Sequence, residues 1–329
     1  MPDTIAAIAT ARAPGAIGIL RLSGPDTKAV LDAVFFPANG RPMSRQTPRA
    51  MVYGRVLDGE GRVLDNALCV LFPGPDSYTG EDGAEIHCHG SPVVLNEGLK
   101  LLLDRGARQA KGGEFTQRAF LNGRMDLLQA EAVADIIDAE TAETARNAAG
   151  QLEGVLSRSV QAVYDTLMDV TSRFYAIVDY PDEDIEDLQR EQLLDALRRS
   201  EHKLTELLAT FSRGQLMKQG VPTVLLGKPN VGKSSLLNAL VGYDRAIEEQ
   251  FPAGTQAQGE LLTNARQADA VSRALNSVKS ARAALETGMT PDVVLTDGES
   301  ALEALGELNG KHIREDLVDT IFSRFCVGK

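Results

Sequence analysis

The chain is poor in cations and in cysteine. It carries 34 Lys and Arg against 46 Asp and Glu, a formal net charge of −12. That deficit excludes broad electrostatic binding of nucleic acid by this chain alone; an RNA would need a local patch or a partner to hold it. Three cysteines, Cys69, Cys88 and Cys326, are scattered through 329 residues. They make no disulfide framework, so a reducing compartment is expected. No apolar run is long enough to cross a bilayer, and no charged-then-apolar leader opens the chain. A cytoplasmic protein with no membrane partner follows, long enough for two or three domains and a sizeable core.

What is present is organised around Gly227-Lys228-Pro229-Asn230-Val231-Gly232-Lys233-Ser234-Ser235, which matches G-x-x-x-x-G-K-[ST] at every fixed position. Val221 to Leu226 reads as a short buried strand. Ser234 to Val241 reads as a helix with Leu236, Leu237 and Leu240 on its buried side. Backbone N–H groups of such a loop and the positive end of the helix face an anion. Lys233 then reaches the outer phosphates, and the Ser234 hydroxyl ligates Mg²⁺.

Residues 1–118 read as mixed α/β, with strands at Thr4–Thr10, Ala16–Leu22, Ala50–Val56, Ala67–Phe72 and Ala84–Cys88 separated by turn signals. Ser91-Pro92 opens a helix that runs to about Asp104, with Gly106 at its end. His87 and His89 share one strand face and Cys88 the other. With no further ligand pair at metal spacing, a buried strand edge is the reading preferred to zinc. Beyond Gly113 the period becomes helical. Asp126 to Gln129 has the form of a capping box, followed by an apolar stripe at Val133, Ile136 and Ile137. Leu156, Val160, Val163, Leu167, Val170, Phe174 and Ile177 form a heptad seam. A second helix, carrying Leu193 to Phe211, is expected to stop near Gly214. Helical period returns by Leu261 and continues through Val271, Leu275, Val278 and Leu285, then Leu302, Leu305 and Leu308, and finally Leu317 to Phe325. The segment between Ser235 and Leu261 holds less than one further strand–helix unit of roughly 30 residues. The resulting division is 1–118, a discontinuous helical domain at 119–215 and 260–329, and a shortened P-loop remnant at 216–259.

These motifs, taken in order, resemble the tRNA-modification GTPase family called MnmE or TrmE. The resemblance rests on Asp3-Thr4-Ile5, Gly18 to Gly24, Pro75 to Asp82, His89-Gly90, Gly113 to Gly123, Asp126 to Ala132, the phosphate loop and the ending Phe325-Cys326-Val327-Gly328-Lys329. It implies a multidomain α+β and α/β chain: an N-terminal folate-binding domain that forms a homodimer, a split helical domain, and a G domain inserted into it. It further implies GTP hydrolysis in the modification of C5 of the wobble uridine of certain tRNAs. A 5-formyl- or methylene-tetrahydrofolate would supply one carbon, and the flavoprotein MnmG (GidA) the redox steps. The departure is in the G domain. The chain has no N-K-x-D, no D-x-x-G follows Lys233, and Pro252-Ala253-Gly254-Thr255 only loosely matches the family's switch segment. The G domain is therefore expected to be incomplete here. A folate-binding scaffold without nucleotide turnover is the alternative, and use of ATP stays formally open.

The resemblance also implies sites. Asn230, Val231, Gly232, Lys233, Ser234 and Ser235 fall on the nucleotide, with Asn230 matching a K⁺ ligand; by itself Asn230 reads equally as a loop-shaping residue. Arg21, Glu85, Arg124 and Lys329 fall on the folate site. A carboxylate such as Glu85 can accept the adjacent N–H groups of a pterin, and cations suit its glutamyl tail. Cys326 stands near a cation that favours thiolate and is the candidate nucleophile; on bare sequence it reads as a small buried residue beside Phe325.

Overall fold

The computed structural model describes residues 3–179, 187–220, 224–228, 231–233, 235–236, 239, 259–311, 318, 321–322, 325 and 327–328. The chain forms two compact units, Met1–Asp126 with Arg314–Lys329, and Leu127–Ile313.

The first unit is a seven-stranded sheet of order β3-β4-β5-β6-β2-β1-β7. Its strands are β1 (Ile5–Ile8), β2 (Gly15–Ser23), β3 (Phe35–Pro37), β4 (Val52–Leu57), β5 (Val63–Phe72), β6 (Gly83–Gly90) and β7 (Arg108–Gln109). All pairings are antiparallel except β1 with β7. Strand alternation sends one set of side chains to each face. On one face Leu20, Leu22, Cys69, Leu71, Ile86 and Cys88 are buried beneath α1 (Thr27–Val34) and α2 (Pro92–Asp104). The helix α2 begins as the sequence predicts, with proline in its first turn, and presents Leu95, Leu99 and Leu102 to the sheet. Ser91 makes no side-chain cap. On the other face α3 (Glu114–Leu121) covers only one end, where Phe115 packs on Ile5 and Ala7. The rest of that face carries Arg21, Glu85 and His87, and leaves Tyr53 and Leu68 exposed.

The second unit is helical: α4 (Leu127–Ile137), α5 (Ala142–Leu152), α6 (Val155–Asp179), α7 (Asp187–Ala209), α8 (Phe211–Gln219), α9 (Ala265–Glu286) and α10 (Pro291–Asn309). Four long helices close a ring, α6 against α7 and α10, and α9 against α7 and α10. The predicted heptad seam is its centre: Leu156, Val160, Val163, Leu167, Val170 and Phe174 are all buried, with Ile177 packed against them.

Several expectations change. The boundary predicted at 118 falls inside α3, and the first unit continues to Asp126. In space the tail from Arg314 groups with the first unit. A sequence stripe cannot reveal which unit a terminal segment joins. In α4 the buried face is Leu128, Glu131, Ala132 and Asp135, while Ile137 is exposed. Two carboxylates go inward because Arg266, Gln267, Lys218 and Thr263 meet them. Gly214 does not end a helix: α7 stops at Ala209, and α8 runs through Gly214. A Cβ there would lie 2.1 Å from the Leu262 carbonyl oxygen, so glycine allows the backbone at 262 to cross α8 at contact. Finally, Val224–Lys228 carries no strand.

Candidate functional site

The sheet register makes the first site. Arg21 on β2 and Glu85 on β6 are direct cross-strand partners, and Glu85 in turn faces Val70 on β5. Arg21 Nε donates to Glu85 Oε1 at 3.0 Å, and its Nη2 lies 2.9 Å from the same oxygen. Its remaining Nη1 donates to the Gly328 carbonyl at 3.1 Å. The guanidinium lies 6.0 Å from the Tyr78 ring centroid and 5.8 Å from that of Phe115, within cation–π range. His87 Nε2 stands 3.1 Å from Glu85 Oε2, so each carboxylate oxygen has a partner. The histidine pair weighed for metal is accounted for by carboxylates: His87 by Glu85, and exposed His89 by Asp65 at 2.7 Å. Among the described residues no group of His, Cys, Asp and Glu is placed to hold a metal ion. Cys88 is buried on the opposite face, where burial pushes its thiol up to about 12.

Beside this ion pair is a small, half-open cleft, lined by Arg21, Ser23, Phe72, Ser77, Tyr78, Thr79, Glu85 and Phe115 among others. Its wall is the turn between β5 and β6, fastened from several sides. Ser23 Oγ lies 2.7 Å from Thr79 Oγ1 and donates to Glu81 Oε2 at 2.6 Å. Tyr78 Oη is 2.9 Å from Thr116 Oγ1, and Asn122 donates to the Thr79 carbonyl at 2.7 Å. Arg118 joins Glu81 at 3.2 Å, Asp3 at 2.6 Å and Glu114 at 3.1 Å. Asp3 is held down to about 2, first by its hydrogen bond to Arg108 and then by Arg118 working against burial. Burial raises the Tyr78 hydroxyl, with Thr116 and Arg21 opposing. The Pro75 to Asp82 motif carries a signal of these roles in its density of hydroxyls beside Glu81 and Asp82.

The chain's tail reaches the same place. Val327 bridges to Gly112, and Gly328 has φ +99 with the position of a Cβ only 2.5 Å from the Ile8 carbonyl oxygen. Only glycine lets the tail lie that close to β1. Of the predicted folate residues, Arg21 and Glu85 meet in the cleft. Arg124 does not line it. Its stem packs at Gly80, with Nη1 4.0 Å from Asp76 Oδ1. Lys329 and Cys326 lie outside the described residues, although Phe325, Val327 and Gly328 beside them are described.

The second site is the phosphate loop. Gly232 has φ +87, and a helical turn starts at Lys233, with Leu236 N–H donating to the Gly232 carbonyl at 2.9 Å. Lys233 Nζ donates to the Gly227 and Lys228 carbonyls at 2.9 and 2.8 Å. The loop-to-helix corner is therefore present. Of the strand predicted at Val221 to Leu226, the described residues Val224–Leu226 form none: Val224 and Leu226 are 77% and 90% exposed, and Leu236, expected on a buried side, is 51% exposed. A strand needs neighbours to satisfy its backbone and cover its side chains. No described strand of this unit stands beside Val224–Lys228. Asn230 and Ser234 lie outside the described residues; Val231, Gly232, Lys233 and Ser235 are within them.

Comparison with known proteins covers both units. The family model described as "GTP-binding protein TrmE N-terminus" matches residues 4–124, and that described as "MnmE helical domain" matches residues 127–326. The tRNA modification GTPase MnmE of Clostridioides difficile (strain 630) is 42% identical over 262 residues, 80% of this chain and 57% of the relative. That of Xylella fastidiosa (strain Temecula1 / ATCC 700964) is 46% identical over 256 residues, 78% of this chain and 55% of the relative. That of Roseiflexus sp. (strain RS-1) is 32% identical over 463 residues, covering 99% of both chains. The chain thus matches little more than half the length of the first two. The 463 aligned positions against a chain of 329 residues leave long stretches of the third without a counterpart here.

Proposed function

This chain belongs to the MnmE family, and from that premise we propose that it serves tRNA modification at C5 of the wobble uridine, with a reduced folate bound in the cleft of the first unit. The observation that carries this reading is that Arg21, in the cleft, holds both Glu85 and the tail carbonyl of Gly328. Glu85 Oε2, met by His87, keeps acceptor capacity for an N–H of a pterin, since a carboxylate offers about four acceptor sites. Tyr78 and Phe115 supply apolar ring surface. Arg21, with Lys329, supplies cations for the glutamyl end. When bound, 5-formyl- or methylene-tetrahydrofolate supplies the one-carbon unit. Cys326 is the nucleophile closest in sequence to the docked tail residue Gly328.

In the second unit Lys233 serves the outer phosphates of GTP, Ser234 a Mg²⁺ ion and Asn230 a K⁺ ion, with Val231, Gly232 and Ser235 supplying backbone N–H groups. The flavoprotein MnmG (GidA) is the partner that carries the redox step, and two copies of the chain pair through the first unit. The open sheet face supports that pairing, with Ile17, Phe36, Tyr53 and Leu68 each more than 40% exposed. The work is done in the cytoplasm; among the described residues no helix is long and apolar enough to cross a membrane.

A second reading is favoured by one observation, the exposed and unpaired segment Val224–Lys228. In that reading the chain is a folate-binding dimeric scaffold without nucleotide turnover. Two measurements separate the readings. Titration with 5-formyl-tetrahydrofolate should show binding that Glu85→Gln weakens by about tenfold or more, as expected for loss of a charge-assisted pair; unchanged affinity in the variant would remove the folate assignment. Hydrolysis of GTP, faster in K⁺ than in Na⁺ and abolished by Lys233→Ala, supports the enzyme, whereas folate binding with no hydrolysis supports the scaffold.

A further inference from the structure

In a chain of net charge −12, residues 33–57 contain no Asp or Glu and four arginines, Arg41, Arg45, Arg49 and Arg55. Three of them lie on the connection between β3 and β4. All three are exposed.

This connection is held in shape. Met43 is fully buried in the core of the unit. Asn39 and Gln46 exchange side-chain amide hydrogen bonds at 3.1 and 2.9 Å, and Gln46 also donates to the Arg41 carbonyl at 2.7 Å. Ser44 N–H donates to Asp32 at 3.0 Å, which commits that carboxylate to the backbone. Arg49 N–H donates to the Leu71 carbonyl at 2.9 Å, and its guanidinium to the Asp76 carbonyl at 2.7 Å. Arg49 is also the one non-glycine residue among those described with positive φ, at 60°. Such a conformation costs about 1 kcal/mol or more and persists where surrounding contacts enforce it.

Elsewhere in the protein arginines are largely neutralised, as at Arg21, Arg62, Arg108, Arg118, Arg266 and Arg282, each on a carboxylate. Among the described residues no carboxylate lies within ion-pair reach of Arg41, Arg45 or Arg49. Exposed arginines on a braced loop meet a polyanion without first breaking an internal pair. Their planar forks suit phosphate oxygens, and a fixed loop loses little entropy on binding.

We infer that Arg41, Arg45 and Arg49 form a phosphate-contacting surface for the backbone of an RNA. The inference rests on the tRNA reading above and adds to it the place where the RNA backbone is held. It also reconciles an acidic chain with an anionic substrate, since a local patch suffices where net charge does not.

The test is an anisotropy titration of the full chain with an unmodified tRNA transcript across a KCl series. Arg41→Glu with Arg45→Glu should weaken binding by about tenfold or more at low salt, and should flatten the slope of log K against log salt by about 1.5, the share of two phosphate contacts. Arg41→Lys with Arg45→Lys should keep most of the slope. Affinity for 5-formyl-tetrahydrofolate reports that the variants are folded, and Arg41→Ala with Arg45→Ala replaces the reversal if that pair misfolds. A wild-type slope in the folded reversal or alanine variant overturns the inference. Polyglutamate bound through these arginines as tightly as the transcript would overturn it in favour of an acidic protein partner. A wild-type chain that binds no transcript while still binding the folate fails the tRNA reading itself, and the surface falls with it.

Discussion

Glu85 shows how one residue's role depends on its neighbours across strands. In sequence it is a single acid on an alternating strand. In the fold it is clasped by Arg21 on one oxygen and His87 on the other. The same scale gives a pH prediction. Asp3 is depressed to about 2 from an ordinary 3.8. Glu114 is also lowered: burial raises it, but Arg108, the Lys111 N–H and Arg118 outweigh burial. A carboxylate depressed in the folded state stabilises fully above its unfolded pKa, and that stabilisation is lost as pH falls through the folded one. Thermal melts of wild type and Arg108→Ala should therefore differ most above about pH 4.5 and converge as pH falls toward 2. A gap that persists at the acid end would show that Arg108 acts by packing. Because Asp3 and Arg108 are nearly half exposed, the gap should be modest and should shrink with salt.

Among the elements, α4 departs furthest from its pattern. Its apolar residues Val133, Ile136 and Ile137 predicted one buried face, yet Glu131 and Asp135 take it. Glu131 receives Arg266 Nε at 2.8 Å, Arg266 Nη2 at 2.9 Å and Gln267 at 2.9 Å. Truncating one partner of a buried pair leaves the other charge stranded, so Glu131→Ala should cost about 3 kcal/mol, read as a lower melting temperature. A variant that melts like wild type would place this pair with the weak surface bridges. Asp135 binds Lys218 at 2.5 Å and Thr263 at 2.9 Å, one on each side of the phosphate-loop segment. Thr144 donates to the Met217 carbonyl, and Asn147 accepts from Gly259 N–H. Both ends of that segment are thus fastened to α4 and α5. Replacing residues 221–258 by a short Gly-Ser linker should leave the melt of the helical unit unchanged; a chain that no longer folds would mean the segment itself supports the unit. Gly214→Ala should be strongly destabilising by the same crossing, because its methyl would meet a backbone oxygen that cannot rotate away.

At the scale of the whole molecule, the pattern of apolar residues already separates a sheet-rich first unit from a helical second one, and the heptad at Leu156 to Phe174 locates the second unit's core. What it misjudged were segments whose burial depends on distant chain. Val224–Leu226 has the composition of a buried strand, but composition supplies no neighbouring strand, and these side chains are exposed. The tail has a helical stripe that continues the helical domain's match to residue 326, yet in space it groups with the first unit.

Local chemistry alone therefore determined the strand alternation, the helix periods, the phosphate-loop corner at Gly232 and the family to which the chain belongs, because each is written in residues close together in sequence. The tertiary structure decided the register that sets Arg21 against Glu85, the docking of Gly328 beside them, and the carboxylates inside α4. Those depend on pairings between residues as many as 307 positions apart, and short-range propensity carries no information about such distances.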